Sequence, residues 1–202
     1  MATINYPNTT IFTKPQAFEF GLRFNTMIHT SPLTGYVQTV GLTGARWTAQ
    51  ITFAGQSPEN AATIEAFIVS LKGQQNRLAL YNLARPSVNG TGNGTPLVAG
   101  GSQTGTSINT DGWANSETVL KAGDMIGIGG ELKMVTADVT SNGSGEATIS
   151  FEPAIRTSPS DNSAVDITAP TALFILTENE IRSRRTQALY EPLTIDLVEV
   201  FA

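Results

Sequence analysis

The stretch AFEFGLRFNTMIHTSPLTGYVQTVGLTGARWTAQITF, residues 17–53, alternates apolar and polar positions in short runs. Phe18, Phe20, Leu22 and Phe24 keep a period of two, as do Ala45, Trp47, Ala49, Ile51 and Phe53. That period places apolar side chains on one face of an extended chain and predicts half-buried β-strands. Ser31, Pro32 and Gly35 separate the first run from Tyr36–Val40, and Gly41 and Gly44 separate that from the next. Both sets carry turn chemistry, so a β-meander is expected.

Working outward, a helix is expected at about 58–72. Ser57 suits an N-cap, Pro58 the first helical position and Glu59 the positive end of the helix dipole, while Gly73 supplies a stop. Ala61, Ile64, Phe67, Ile68 and Leu71 recur at spacings of three and four, so one face is apolar and should lie on the preceding sheet. Arg77–Leu83 reads as a further strand.

From Pro86 to Thr110 there is no charged residue, and Gly, Ser, Thr and Asn dominate. Such a segment is expected to form a loop or short irregular strands without a conventional core, and marks a boundary. Beyond it, turns at Ala122–Asp124, Gly129-Gly130 and Asn142–Gly145 separate β-like runs at Met125–Ile128, Leu132–Val139 and Ala147–Phe151. A turn-rich stretch, Thr157–Ser163, precedes two last runs, Ala172–Leu176 and Leu193–Phe201. The apolar side chains of the last run need a core, most simply that of the N-terminal sheet. The expected fold is mainly β with one α-helix. A β-sandwich or belt-type domain, residues 1–85 plus 170–202, is split by a small β-rich insertion at 86–169.

Only 14% of the 202 residues are charged, against roughly 25% in ordinary soluble domains. The surface must therefore lean on Thr, Ser, Asn, Gln and Gly, as suits a protein largely covered by partners, or a secreted β-protein. A net charge of −5 lacks the basic footprint of a nucleic-acid binder. With no cysteine, neither disulfides nor thiolate metal sites are available. MATINYPNTTIF has no basic segment ahead of an apolar run, and no apolar run reaches membrane-spanning length. No export signal and no membrane partner are expected.

Chemistry has little to stand on. His29 is the one histidine, so no Ser-His-Asp, Cys-His or multi-histidine zinc set of the usual kind can form, and it is assigned a loop or surface role. Asp111, Glu117, Asp124, Glu131, Asp138, Glu146 and Glu152 could pair for glycoside hydrolysis. Several sit in or beside glycine turns, and solvated turn carboxylates are the expected reading. The Gly90–Thr95 stretch lacks the strand and helix that a phosphate loop needs, and the Asn-X-Ser/Thr matches follow from composition. No catalytic residue, cofactor or metal is expected. Two features are candidates for assembly contacts. Arg182, Arg184 and Arg185 could meet an acidic face of a neighbour, or belong to a solvated loop. Arg46 and Trp47 could anchor an interface, the alternative being a core Trp beside an exposed Arg.

Taken together, FGLRFNTMIHTSPLTGYVQTVGLTGARWTAQITF, the helix ending in LKG, QQNRLALYNLARP, LKAGDMIGIGGELKMVTADV, FEPAIRTSP and YEPLTIDLVEVF resemble a group of small tail proteins of long-tailed phages and prophages. That group is similar in turn to distal tail proteins. Their N-terminal belt domain, a β-sandwich with one helix, forms a six-membered ring at the tip of the tail tube. The resemblance implies a non-enzymatic structural protein of the virion tail tip or baseplate, assembled in the host bacterial cytoplasm. It further implies a hexameric ring contacting tube, hub and tape measure proteins. A second domain of that family projects outward and is often galectin-like, but 86–169 is too short for a complete one. A carbohydrate-binding module for host attachment, a wall hydrolase, and a tube, terminator or hub protein are the alternatives.

Overall fold

The computed structural model describes residues 1–180, 182–186 and 189–201. In chain order it has β1 (Thr3–Asn5), α1 (Thr10–Thr13), β2 (Ala17–Thr30), β3 (Val37–Phe53), α2 (Pro58–Ser70) and β4 (Arg77–Tyr81). Next come β5 (Gly94–Val98), β6 (Gly105–Trp113), β7 (Thr118–Leu120), β8 (Met125–Ile128), β9 (Glu131–Val135), β10 (Val139–Thr140), β11 (Ala147–Ile155) and β12 (Val165–Asp166). β13 (Thr171–Leu176), β14 (Arg185–Thr186), β15 (Leu189–Tyr190) and β16 (Leu193–Glu199) complete the order. The fold is mainly β, as expected. Contacts divide the chain into two compact units: Met1–Leu78 together with the chain from Phe174 onward, and Ala79–Leu173.

The first unit is organised by a six-stranded sheet in the order β1-β4-β13-β16-β3-β2. The last strand does return to the N-terminal sheet: β16 pairs antiparallel with β3, from Leu193 opposite Phe53 to Val198 opposite Thr48. Period two decides which side chains go inward. Trp47, Ala49, Ile51 and Phe53 are buried from β3, and Ile195, Leu197 and Glu199 from β16.

The helix forms where its signals lie, with Pro58 in its first turn and Gly73, at φ +61°, just after it. Its stripe of Ala61, Ile64, Phe67 and Ile68 is buried, as is Leu71. The short α1, which no periodicity marked, wedges Phe12 between helix and sheet. The Phe12 ring lies edge-on to Phe67 at 5.0 Å and to Phe53 at 5.6 Å. Tyr6 joins this cluster through Phe67 and donates its hydroxyl to the Phe12 carbonyl at 2.9 Å.

The expected meander is instead one long hairpin. Gly41 and Gly44 make no turn: they lie within the single strand β3, where the register against β2 jumps between Arg23 and Asn25. Arg23 faces Arg46 but Asn25 faces Leu42, so β3 carries extra residues in a bulge at 43–45. Gly44 takes φ +100° there, and Asn25 Nδ2 donates to the Thr43 carbonyl at 3.1 Å. Glycine supplies the left-handed backbone that such a bulge needs.

The second unit is a six-stranded antiparallel sheet in the order β12-β8-β9-β11-β6-β5. Its two edges meet. Leu97 of β5 bridges Ala164, next to β12, and the Val98 amide donates to the Ser163 carbonyl at 2.9 Å. The sheet thus nearly closes into a barrel, which removes the exposed edges of an open sheet. The uncharged stretch 86–110 forms short strands, one of the two forms expected, but the expectation that it lacks a conventional core is corrected. It supplies β5 and part of β6, with Val98 and Ile108 buried in the barrel core beside Val119, Ile126, Ile149 and Phe151. A few well-placed apolar residues suffice, because closure lets each inward position count.

Glycines fit where backbones touch. A Cβ on Gly90 would collide with the Val119 carbonyl. Gly90→Ala is therefore expected to cost about 1–3 kcal/mol, read as a lower barrel unfolding midpoint. An unchanged midpoint would mean that the 88–92 loop does not hold this position.

Candidate functional site

Beyond Arg23 and Arg46 the hairpin leaves the body of its unit. β3 pairs with β16 only as far as Thr48, and β2 is the terminal strand of the sheet. From Phe24 to Thr30 and Val37 to Leu42 the two strands pair only with each other among the described residues. At about 3.3 Å per residue, the seven residues beyond Arg23, Phe24 to Thr30, reach roughly 23 Å. Apart from Ser31, every residue from Phe24 to Gly44 is exposed.

Exposure here is unusual because the side chains are apolar. Of the eleven exposed large apolar residues among those described, eight lie on this arm: Phe24, Met27, Ile28, Leu33, Tyr36, Val37, Val40 and Leu42. Leu33 and Tyr36 at the tip are 94% and 79% exposed. Together the eight present on the order of 900 Å², comparable with the ~800 Å² each partner commits to a standard interface. No Asp, Glu, Lys or Arg occurs from Phe24 to Ala45.

Opposed residues share a face. Met27 with Val40, Asn25 with Leu42 and His29 with Gln38 form one; Ile28 with Thr39, Thr30 with Val37 and Thr26 with Gly41 form the other. Both faces are thus partly apolar. The tip is a turn in which Ser31 accepts from the Gly35 amide at 2.9 Å and donates its own amide to the Tyr36 carbonyl at 2.8 Å.

The arm also has two free edges, the outer edge of β2 and that of distal β3. Natural edge strands are usually blunted by lysine, proline or an inward charge. Distal β2 and β3 carry none of these. Such a ribbon is marginally stable in water by itself.

No family model and no curated protein matches this chain.

The residues singled out in the sequence lie elsewhere. Trp47 is no surface anchor: it is 1% exposed, its ring stacks on Phe20 at 5.0 Å, and its amide donates to Glu199 Oε2 at 2.9 Å. Inward phase on β3 commits it to its own core. Arg46, one residue out of phase, is exposed and lies over the Phe201 ring at 4.5 Å.

Arg182 grips Glu180 through two hydrogen bonds of 2.8 and 3.0 Å, and Arg184 approaches Glu191 at 3.5 Å. These arginines meet acids of their own chain. Arg185 pairs through its backbone with Tyr190; its side chain and Ile181, in the same basic run, lie outside the described residues. His29 sits near the end of β2, exposed, as its surface assignment requires.

Two carboxylates read as solvated are buried. Asp124 accepts from the Asn89 amide and side chain at 2.8 Å each, from Lys121 N at 2.8 Å and from Gly90 N at 3.2 Å, so it pins the 88–92 loop to the barrel. Glu131 meets Lys133 Nζ at 2.6 Å and accepts from Thr157 N at 2.9 Å and Arg156 N at 3.1 Å. Burial alone would raise its carboxyl. The Lys133 hydrogen bond and charge, with the two amides, outweigh that and hold it below the ordinary carboxylate range. Lys133, completely buried, also donates to the Ala154 carbonyl at 2.8 Å. Residues 131, 133 and 135 share a strand face and Val135 is in the barrel core, so the pair belongs to the barrel interior. Both groups are saturated by protein partners, the pattern of structural charges. Among the described residues no cluster of three or more His, Asp or Glu side chains could hold a metal ion.

Proposed function

We propose that this chain is a structural, non-enzymatic ring subunit of a phage tail tip, similar to distal tail proteins, linking the tail tube to the hub or receptor-binding apparatus. The arm carries the assembly half of this reading. An uncharged ribbon, apolar on both faces and open on both edges, needs cover that only other protein chains supply well. A lipid bilayer is a poor occupant, because the backbone groups of two free edges find no partners in hydrocarbon.

A second copy fits. If copies stand side by side with arms pointing the same way, distal β3 of one meets β2 of the next, antiparallel. Such contacts are heterologous, and rotation closes them into a ring. The resemblance of the sequence segments supplies the sixfold count and the place at the tail tip. Imaging of purified tails tests both: a sixfold ring at the tip is expected, whereas a long stack along the tube or a threefold hub would overturn the assignment.

A further inference from the structure

We infer that Asn142-Gly143 is a site of spontaneous covalent modification, where the folded chain converts asparagine to aspartate and isoaspartate while Asn89 and Asn93 stay intact. The chain has three Asn-Gly steps, 89-90, 93-94 and 142-143, and all three lie in the barrel unit. They are the same asparagines that match the Asn-X-Ser/Thr pattern. Glycine is the follower that lets the reaction run, because it has no Cβ to shield the attacking backbone nitrogen.

The chemistry needs only water. The Gly143 nitrogen attacks Asn142 Cγ: the new N–Cγ bond forms, the Cγ–Nδ2 bond breaks, and the nitrogen's proton departs with the side-chain amide as ammonia. Water then opens the five-membered imide at either carbonyl. One opening gives aspartate, and the other gives isoaspartate, in which the chain runs on through Cγ. Either product adds one negative charge beside Glu146.

The leaving amide is restrained at all three steps. Asn89 Nδ2 donates to Asp124 at 2.8 Å, Asn93 Nδ2 to Glu117 Oε2 at 2.9 Å and Asn142 Nδ2 to Glu146 Oε2 at 2.7 Å. Charge-assisted bonds of this kind hold the orientation of a carboxamide. The attacking nitrogen separates the three. Gly90 donates its amide to Asp124 Oδ2 at 3.2 Å and packs against the Val119 carbonyl. Gly94 opens β5 opposite Trp113, with the Gly112 carbonyl against it. Backbone hems in both glycines, so neither nitrogen can swing toward its asparagine.

Gly143 is different. It lies exposed in the turn between β10 and β11, and among the described residues nothing beyond its chain neighbours comes within 4 Å of where its Cβ would stand. Most of the restraint on Asn142 is local to the turn. Its Oδ1 accepts from the Ser144 and Glu146 amides at 2.8 and 2.9 Å, and its carbonyl accepts from Ser116 N at 3.0 Å and Gly145 N at 3.1 Å. The step therefore reacts through opening of this turn, which leaves the barrel core in place.

The test holds the folded full chain in mildly alkaline buffer, with the same chain in denaturing urea beside it. Samples taken over time are digested at mildly acidic pH, where the reaction is slow, and read by mass. Exchange of NH2 for OH marks each site, and isoaspartate elutes as a second peptide of equal mass. In urea all three asparagines should convert. In the folded chain Asn142 should convert more slowly than in urea but at least ~10-fold faster than Asn89 or Asn93, because opening a turn costs less than opening the barrel. Glu146→Ala removes an exposed side chain and one restraint, and should speed conversion at Asn142 about threefold. Conversion of Asn89 or Asn93 in the folded chain at the rate of Asn142 overturns the inference. So does an Asn142 that stays intact when folded while the urea sample has converted. An unchanged rate in Glu146→Ala overturns the restraint assigned to that carboxylate.

Discussion

Replacing residues 24–45 by Asn-Gly, so that Arg23 runs into a two-residue turn and returns at Arg46, is expected to leave a folded monomer. Arg23 and Arg46 are directly opposed, and Asn-Gly supplies the turn whose twist matches a two-residue hairpin. Everything removed is exposed or half-exposed, so the body keeps its core from Leu22 and Trp47 onward. Its stability should change by no more than about 1 kcal/mol. Association should weaken by at least ~100-fold, because the arm carries eight of the eleven exposed large apolar side chains among the described residues, and interface energy concentrates in such anchors. Thermal unfolding reads the stability and sedimentation velocity the association. A truncated chain that still assembles like the full one would remove the arm from the mechanism.

The second large effect is expected inside the barrel. Lys133→Ala strips Glu131 of its ammonium partner while leaving the carboxylate in place, 7% exposed. Losing one member of a buried pair costs about 3–5 kcal/mol; Arg156 Nε, 3.6 Å from Glu131 Oε2, offsets part of that, and the barrel's unfolding midpoint should still fall. In Lys133→Met with Glu131→Gln, one side-chain oxygen still accepts from the backbone, no buried charge is left unpaired, and Arg156, 3.6 Å from Glu131 Oε2 and 23% exposed, keeps access to water. Most of the loss should be recovered. Because the chain folds as two units, a single transition cannot be assumed. Each unit holds one of the two tryptophans, Trp47 in one and Trp113 in the other, so single-tryptophan variants report on them separately. The Trp47 unit should be unaffected by Lys133→Ala.

The same pair predicts a response to acid. The folded Glu131 carboxyl titrates below its ordinary value of 4.5. Its contribution to stability is then present above that value and is lost as pH falls through the lower, folded one. Lys133→Ala should flatten this part of the barrel's pH profile. A variant that keeps the wild-type profile would place the acid sensitivity elsewhere.

Much of the local structure was legible because it follows from spacing within one segment. The helix at Pro58–Ser70, the inward phase of Trp47, Ala49, Ile51 and Phe53, and the C-terminal strand seeking the N-terminal sheet all rest on periodicity and on the need to bury apolar side chains. Where the sequence misled, longer-range partners decided. Gly41 and Gly44 carry turn chemistry, yet β2 runs on beside them and turns them into a bulged strand. The 86–110 stretch is too polar for an ordinary core but becomes barrel wall once β5 closes against the segment before β12. Asp124 and Glu131 sit beside glycines like solvated turn acids and are buried, because amides and Lys133 from neighbouring strands converge on them.

The arm is the clearest case of this division. By itself the sequence determined that residues 17–53 form paired strands of alternating apolar residues, since a period of two has no other low-energy backbone. It could not determine that the pattern outruns the core. Phe18 and Phe24 look alike along the chain, and the difference between half-buried and exposed arises because β16 stops pairing with β3 at Thr48 and no other element among the described residues pairs with the distal strands. Burial depends on what lies opposite in space, and that is set by the tertiary structure.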